Sequence, residues 1–145
     1  MPNLNKIRPY EHGQILDIYW LKDDEAIYPG ECVDLSSDPV TLARPQGGSY
    51  RYEVIKSDGN HPERCVGISL TTVESTDLDR GLRVVDHGYV GAFAASDNDI
   101  EPQRYIKSGA NGNIEEITQA TDILKMRGRT VWRAYKGKMT CVFLL

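Results

Sequence analysis

The stretch Gly81-Leu82-Arg83-Val84-Val85-Asp86-His87-Gly88-Tyr89-Val90-Gly91-Ala92-Phe93-Ala94 constrains this chain more than any other. Two β-branched or aromatic runs flank a glycine-containing turn, the pattern of a β-hairpin. A three-residue loop, Asp86-His87-Gly88 with Gly88 left-handed, sets Val84 opposite Val90 and Leu82 opposite Ala92. That register gathers Leu82, Val84, Val90, Ala92 and Ala94 on one face. A two-residue His87-Gly88 loop would mix Arg83 and Val85 with Val90 and Ala92. A one-residue slip exchanges the buried face for the wet one, so the longer loop is the reading adopted. Cys65-Val66-Gly67-Ile68-Ser69-Leu70 supplies a neighbouring strand of a small antiparallel sheet.

The rest of the chain repeats this grammar of short strands and turns. Residues 14–21 alternate, with Leu16, Ile18 and Trp20 on one side and Ile15, Asp17, Tyr19 and Leu21 on the other. Further strands are expected around residues 32–35, 40–43, 50–54, 103–107, 113–115, 130–135 and 138–145, separated by clusters of Gly, Pro, Asn, Asp and Ser. Ser75-Thr76-Asp77 has the makings of a capped helical turn, and residues 121–127 suit a short helix or a strand equally. Asn111-Gly112 is a type I′ signal. The last strand places Met139, Cys141, Phe143 and Leu145 together. About ten short strands of this kind mean an all-β domain, a small antiparallel barrel or sandwich over residues 14–145.

Residues 1–13 differ. Leu4, Ile7 and Tyr10 stand between Pro2, Pro9 and Gly13, and no period runs through them. The prolines interrupt both a helix and a central strand. An extended arm and a frayed tail are the two readings; the apolar residues favour an arm that gains burial from a partner.

The 145 residues suffice for one domain with a core. No apolar run approaches the ~20 residues that span a bilayer, so no membrane partner is expected. The first residues lack the apolar core of a signal peptide, so synthesis in the cytoplasm is expected. Cys32, Cys65 and Cys141 are odd in number and widely spaced, which reads as free core thiols. The net charge of −4 is uneven: residues 123–145 hold six cations (Lys125, Arg127, Arg129, Arg133, Lys136, Lys138) and no acid, leaving 11 cations against 21 acids in residues 1–122. The acidic body would repel a phosphate backbone, so nucleic acid is not the expected partner. A solvated face or an acidic protein neighbour accounts for the basic run.

The motifs of common chemistries are missing. There is no phosphate-binding Gly-x-x-x-x-Gly-Lys-Ser/Thr loop, no Gly-x-Ser-x-Gly elbow and no His-Glu-x-x-His. His12, His61 and His87 each fall in an expected turn. Asp97, Asp99 and Glu101, like Asp77 and Asp79, lack the glycine and terminal glutamate of a calcium loop. A binding protein without cofactor or metal is expected rather than an enzyme.

Four segments, Pro29-Gly30-Glu31-Cys32-Val33, Cys65-Val66-Gly67-Ile68-Ser69, Gly81-Leu82-Arg83-Val84-Val85-Asp86-His87-Gly88-Tyr89-Val90 and Tyr105-Ile106-Lys107-Ser108-Gly109, follow one another as strands entered through a Gly-polar-apolar step. In this order the chain resembles the head decoration (capsid cement) proteins of tailed bacteriophages, the lambda-like β-barrel group. The loops over residues 43–64 and 96–102 are longer and more charged than that pattern. The resemblance implies a structural protein, commonly trimeric, on the outside of a capsid, with the major capsid protein and its own copies as partners. The residues expected to meet those partners are Leu4, Ile7, Arg8 and Tyr10 in the arm and Arg127, Arg129 and Arg133 in the basic run. The alternative is a β-domain that recognises carbohydrate or a receptor on a phage tail or fibre, through Trp20, Tyr50, Tyr52 or Trp132.

Overall fold

The computed structural model describes residues 13–45, 48–93 and 99–145. The arm, with Leu4, Ile7, Arg8, Tyr10 and His12, lies outside the described residues, as do Ala94 and Asp97. The described chain is all-β, with strands β1 (Gly13–Leu21), β2 (Cys32–Leu35), β3 (Leu42–Ala43), β4 (Arg51–Lys56), β5 (Cys65–Ser69), β6 (Gly81–Phe93), β7 (Tyr105–Ser108), β8 (Ile114–Glu116), β9 (Gly128–Thr130) and β10 (Met139–Leu144). Residues 120–125, which suited helix or strand, form a 3-10 turn. The segment expected to cap a helical turn is a plain turn in which Asp77 N–H donates to Glu74 O at 3.1 Å.

Five strands close a barrel in the order β1-β4-β2-β5-β6 and back to β1. Directions around a ring of five cannot alternate throughout, so at least one pair must be parallel. That pair is β1 and β4, with Tyr19 opposite Tyr52 and Leu21 opposite Val54. The wholly antiparallel sheet expected from the turns is corrected on this point. The barrel interior holds Tyr19, Leu21, Val33, Val54, Leu82 and Val84, with Leu16, Leu35 and Val66 packed against them. A register shift between Leu16 and Tyr19 re-phases β1, so Leu16 and Tyr19 both reach this core although strict alternation separates them.

The central stretch is not a hairpin. β6 runs as one strand of 13 residues, and Val84 does not face Val90. Gly88, at φ 106°, is paired with both Gly13 of β1 and Leu144 of β10, so the strand bends there and changes company instead of turning back. Its first half closes the barrel and its second half pairs with β10. The turn-like residues at 86–88 thus mark a kink within a strand, the other meaning of a strand glycine.

From the second half of β6 the sheet continues through β10, β9, β7 and β8. This second layer lies against the outer side of the barrel wall. Cys32, Ile68 and Val85 from the barrel share one core with Val90, Ala92, Ile106, Ile114, Val142 and Leu144. Because β2, β5 and β6 are covered on both sides, their apolar residues run together rather than alternate. Two close approaches fix the wall. A Cβ on Gly67 would stand 2.1 Å from Val85 O, and one on Gly128 would stand 2.1 Å from Phe143 O.

The Asn111-Gly112 signal is realised. Both residues are left-handed, at φ 57° and 72°, and Asn113 N–H donates to Ala110 O at 3.1 Å, turning β7 into β8. The turn docks on the barrel through a 2.9 Å bond from Gly112 N–H to Ser57 O. In β10 Met139, Cys141 and Phe143 alternate along one side as expected, while the core takes Val142 and Leu144 of the other; Phe143 is half-buried and Leu145, past the strand, is exposed. Both faces of that strand are apolar, so its phase could be decided only by the packing of the second layer.

Candidate interaction surfaces

The three arginines of the basic run have three different environments. Arg127 is a staple. Its guanidinium donates to Val66 O at 3.1 Å, to Asp86 O at 2.6 Å and to Leu145 O, tying β5, β6 and the end of β10 together. Arg127 is half-buried, and its terminal nitrogens are engaged by the chain's own carbonyls. Arg133 pairs with the chain's own Asp99 at 3.5 Å and Glu101 at 3.0 Å. Those two acids, considered as cation ligands in the sequence, thus share one arginine. Arg129 has no ion-pair partner among the described residues and lies 5.3 Å from the Phe143 ring centre.

Arg129 belongs to a row that crosses four strands. Tyr89 on β6 is opposite Phe143 on β10, Phe143 is opposite Arg129 on β9, and Arg129 is opposite Tyr105 on β7. Their neighbours Val90, Val142, Thr130 and Ile106 point into the core, so alternation sends the whole row outward. Tyr89 and Tyr105 are 40% and 52% exposed. The Tyr89 and Phe143 rings meet edge to face at 4.9 Å, and His87 packs on Phe143 at 5.6 Å. The row carries no signature in the sequence because its members come from four separate segments.

A second feature lies on the loop before β6. Residues 74–79 are all exposed, and Leu78 is 93% exposed between Asp77 and Asp79. Beneath them Arg80, only 4% exposed, donates to the carbonyls of Leu21 (3.0 Å), Lys22 (2.8 Å), Glu25, Glu74 (3.0 Å) and Asp77 (3.1 Å). Asp77 Oδ2 accepts from Glu74 N–H at 2.9 Å and Asp79 Oδ1 accepts from Gly81 N–H at 3.1 Å. The loop is a rigid, acidic projection. Together with Asp23, Asp24 and Arg80, residues 75–78 of the loop line an open depression.

One buried carboxyl joins the two layers. Asp34 on β2 is 1% exposed, and Ser108 Oγ on β7 donates to its Oδ1 at 3.2 Å while Oδ2 has no partner. Desolvation pushes its pKa up to about 6; the Ser57 and Ser108 hydroxyls pull it down, and Asp58 and Glu63 add to the rise. The cysteines are free, with Cys32 and Cys141 buried. Contact with Cys65 and burial push the Cys32 thiol up.

The aromatics of the recognition alternative do not converge. Trp20 is opposite Glu53 and therefore points to the other side of the wall from Tyr52. Tyr50, just before β4, and Tyr52 on β4 are exposed, with Arg44 5.3 Å from the Tyr50 ring centre, while Trp20 and Trp132 are half-buried. His61 pairs with Glu63 at 3.2 Å. Among the described residues no three His, Cys, Asp or Glu side chains cluster as metal ligands, and no helix is long and apolar enough to cross a membrane.

The fold is shared with a solved structure, the N base of head fiber gp8.5 in bacteriophage phi29. The two superpose with a TM-score of 0.62 over 91% of this chain and 95% of that one, at 10% sequence identity. At that identity the likeness is one of fold. No protein-family model and no curated protein sequence matches the chain.

Proposed function

We propose that this chain is a structural protein of a bacteriophage head, present on the virion's outer capsid surface. The observation that carries this reading is the fold it shares, along nearly its whole length, with the base of a phage head fiber. In the finer form of the reading it is a cement: made in the host cytoplasm, it binds the major capsid protein and steadies contacts between capsomers, its copies associating in threes. Such a role needs a rigid body and complementary surfaces, and no cofactor or catalytic group. The two-layered core supplies the rigidity. The attachment segment in this reading is the arm, with Leu4, Ile7 and Tyr10 buried against the partner's surface.

The arm gives the test. Burying Leu4 and Ile7 would contribute roughly 1.5–3 kcal/mol each, less the cost of ordering the segment. Copies acting together add avidity. A chain beginning at Gly13 is expected to keep the circular dichroism and melting temperature of the full chain. In co-sedimentation with heads it is expected to bind at least about tenfold more weakly. Equal binding by the two chains would remove the arm from the attachment.

A further inference from the structure

Tyr89 and Tyr105 of the row and Leu78 of the acidic loop are large apolar side chains left exposed on well-braced backbone. A single exposed leucine is ordinary. Leu78 is different, because Arg80 and the Asp77 and Asp79 side-chain bonds hold its loop in a fixed shape that keeps the side chain in water. A preorganised apolar tip loses little freedom when it binds. The row has the composition of an interface centre, aromatic rings around one arginine with no lysine or acid among them. Four strands at about 4.8 Å spacing make it roughly 14 Å wide, room for a leucine and its flanking acids.

The two features are opposite in charge. The row carries Arg129 beside His87, and the tip carries Asp77 and Asp79 beside Asp23 and Asp24. We propose that copies of this chain bind one another head to tail, Leu78 of one copy seating among Tyr89, Phe143 and Tyr105 of the next while the acids beside it meet Arg129. This rests on the reading in which copies associate, and it names their contact. The two surfaces differ, so the contact is heterologous: it closes into a ring or propagates as a filament. The charges set orientation and the apolar insertion supplies most of the hold.

Leu78→Lys and Arg129→Glu separate this from other accounts, with Tyr105→Ser as a second row variant in case Arg129→Glu disturbs β9. Circular dichroism and melting temperature check each fold. In sedimentation velocity up to roughly 100 µM, the full chain is expected to associate, and each variant to weaken association at least about tenfold. In a mixture of the two variants the native Leu78 of the Arg129→Glu chain meets the native row of the Leu78→Lys chain, so the mixture is expected to form at least pairs where neither variant does alone. A full chain that stays monomeric over that range overturns the proposal. So does association unchanged in folded Leu78→Lys and Tyr105→Ser, or a mixture no stronger than its components. Binding of the same variants to heads, measured in parallel, is the readout of the broader reading: variants that self-associate normally but lose the heads assign the row to the capsid and overturn the head-to-tail contact.

Discussion

An Arg80→Leu chain is expected to lose roughly 4–5 kcal/mol of stability, enough to leave a marginal domain largely unfolded at 37 °C. Arg80 is the hub of the loops at one end of the barrel. One guanidinium satisfies carbonyls from Leu21, Lys22, Glu25, Glu74 and Asp77, and its nearest carboxylate, Asp23, is 4.0 Å away and 91% exposed. The cation is therefore held by backbone dipoles rather than by an ion pair. Leucine fills some of the volume but removes the donors from five carbonyls at once, and a hydrogen bond to a charged group is worth about 1.5–3 kcal/mol. Lysine keeps the charge but lacks the planar fork that reaches several acceptors, so Arg80→Lys is expected to recover less than half of the loss. Urea unfolding followed by fluorescence gives both values. An Arg80→Leu chain within about 1 kcal/mol of the native one would mean that the loops do not depend on this residue.

Asp34 gives the second large effect, and its sign is opposite to that of most carboxylates. Its folded pKa of about 6 stands above the ordinary value of 3.8. The folded chain thus holds this proton more tightly than the unfolded one. The resulting contribution is complete below about pH 4 and is lost as pH rises through about 6. Two units correspond to about 3 kcal/mol. Asp34→Asn keeps the shape and an acceptor for Ser108 while removing the charge. The variant is expected to match the native chain near pH 4 and to exceed it by about 2–3 kcal/mol at pH 8. Glu63 and Asp122, whose pKa values are lowered by a backbone hydrogen bond and by Lys107 respectively, tilt stability the other way. They do so in both chains, so the difference isolates Asp34. Equal stability of the two chains at pH 8 would show that the layer junction admits water to the carboxyl.

The fold class was legible because strand periodicity and turn chemistry are local. β2, β5 and the Asn111-Gly112 turn fell where the residues placed them. What failed was the meaning of Gly88. Asp-His-Gly between apolar runs satisfies a hairpin turn and a strand kink equally well, and only the positions of β1 and β10 on opposite edges of β6 decide between them. The parallel β1–β4 pair was hidden for a related reason, since closure of a five-strand ring is not a property of any segment. Arg127 was placed at a surface on charge alone. Its staple depends on Val66, Asp86 and Leu145, which are remote in sequence. Arg80 carried no local sign of its role either, since the carbonyls it binds are backbone groups present at every residue. The Tyr89–Phe143–Arg129–Tyr105 row is a product of register, and register between distant strands cannot be read before the strands are paired.

The central claim is a place on a phage head, and the most direct measurement is the protein content of purified heads. Quantitative mass spectrometry of gradient-purified particles, with and without a high-salt wash, gives the ratio of this chain to the major capsid protein. The account predicts a fixed stoichiometric ratio that a saturating amount of added chain does not raise. It also predicts partial release by salt, because the apolar contacts of the arm outlast the screened ones. A chain absent from the particles, or present at a ratio that simply follows the amount added, would contradict it.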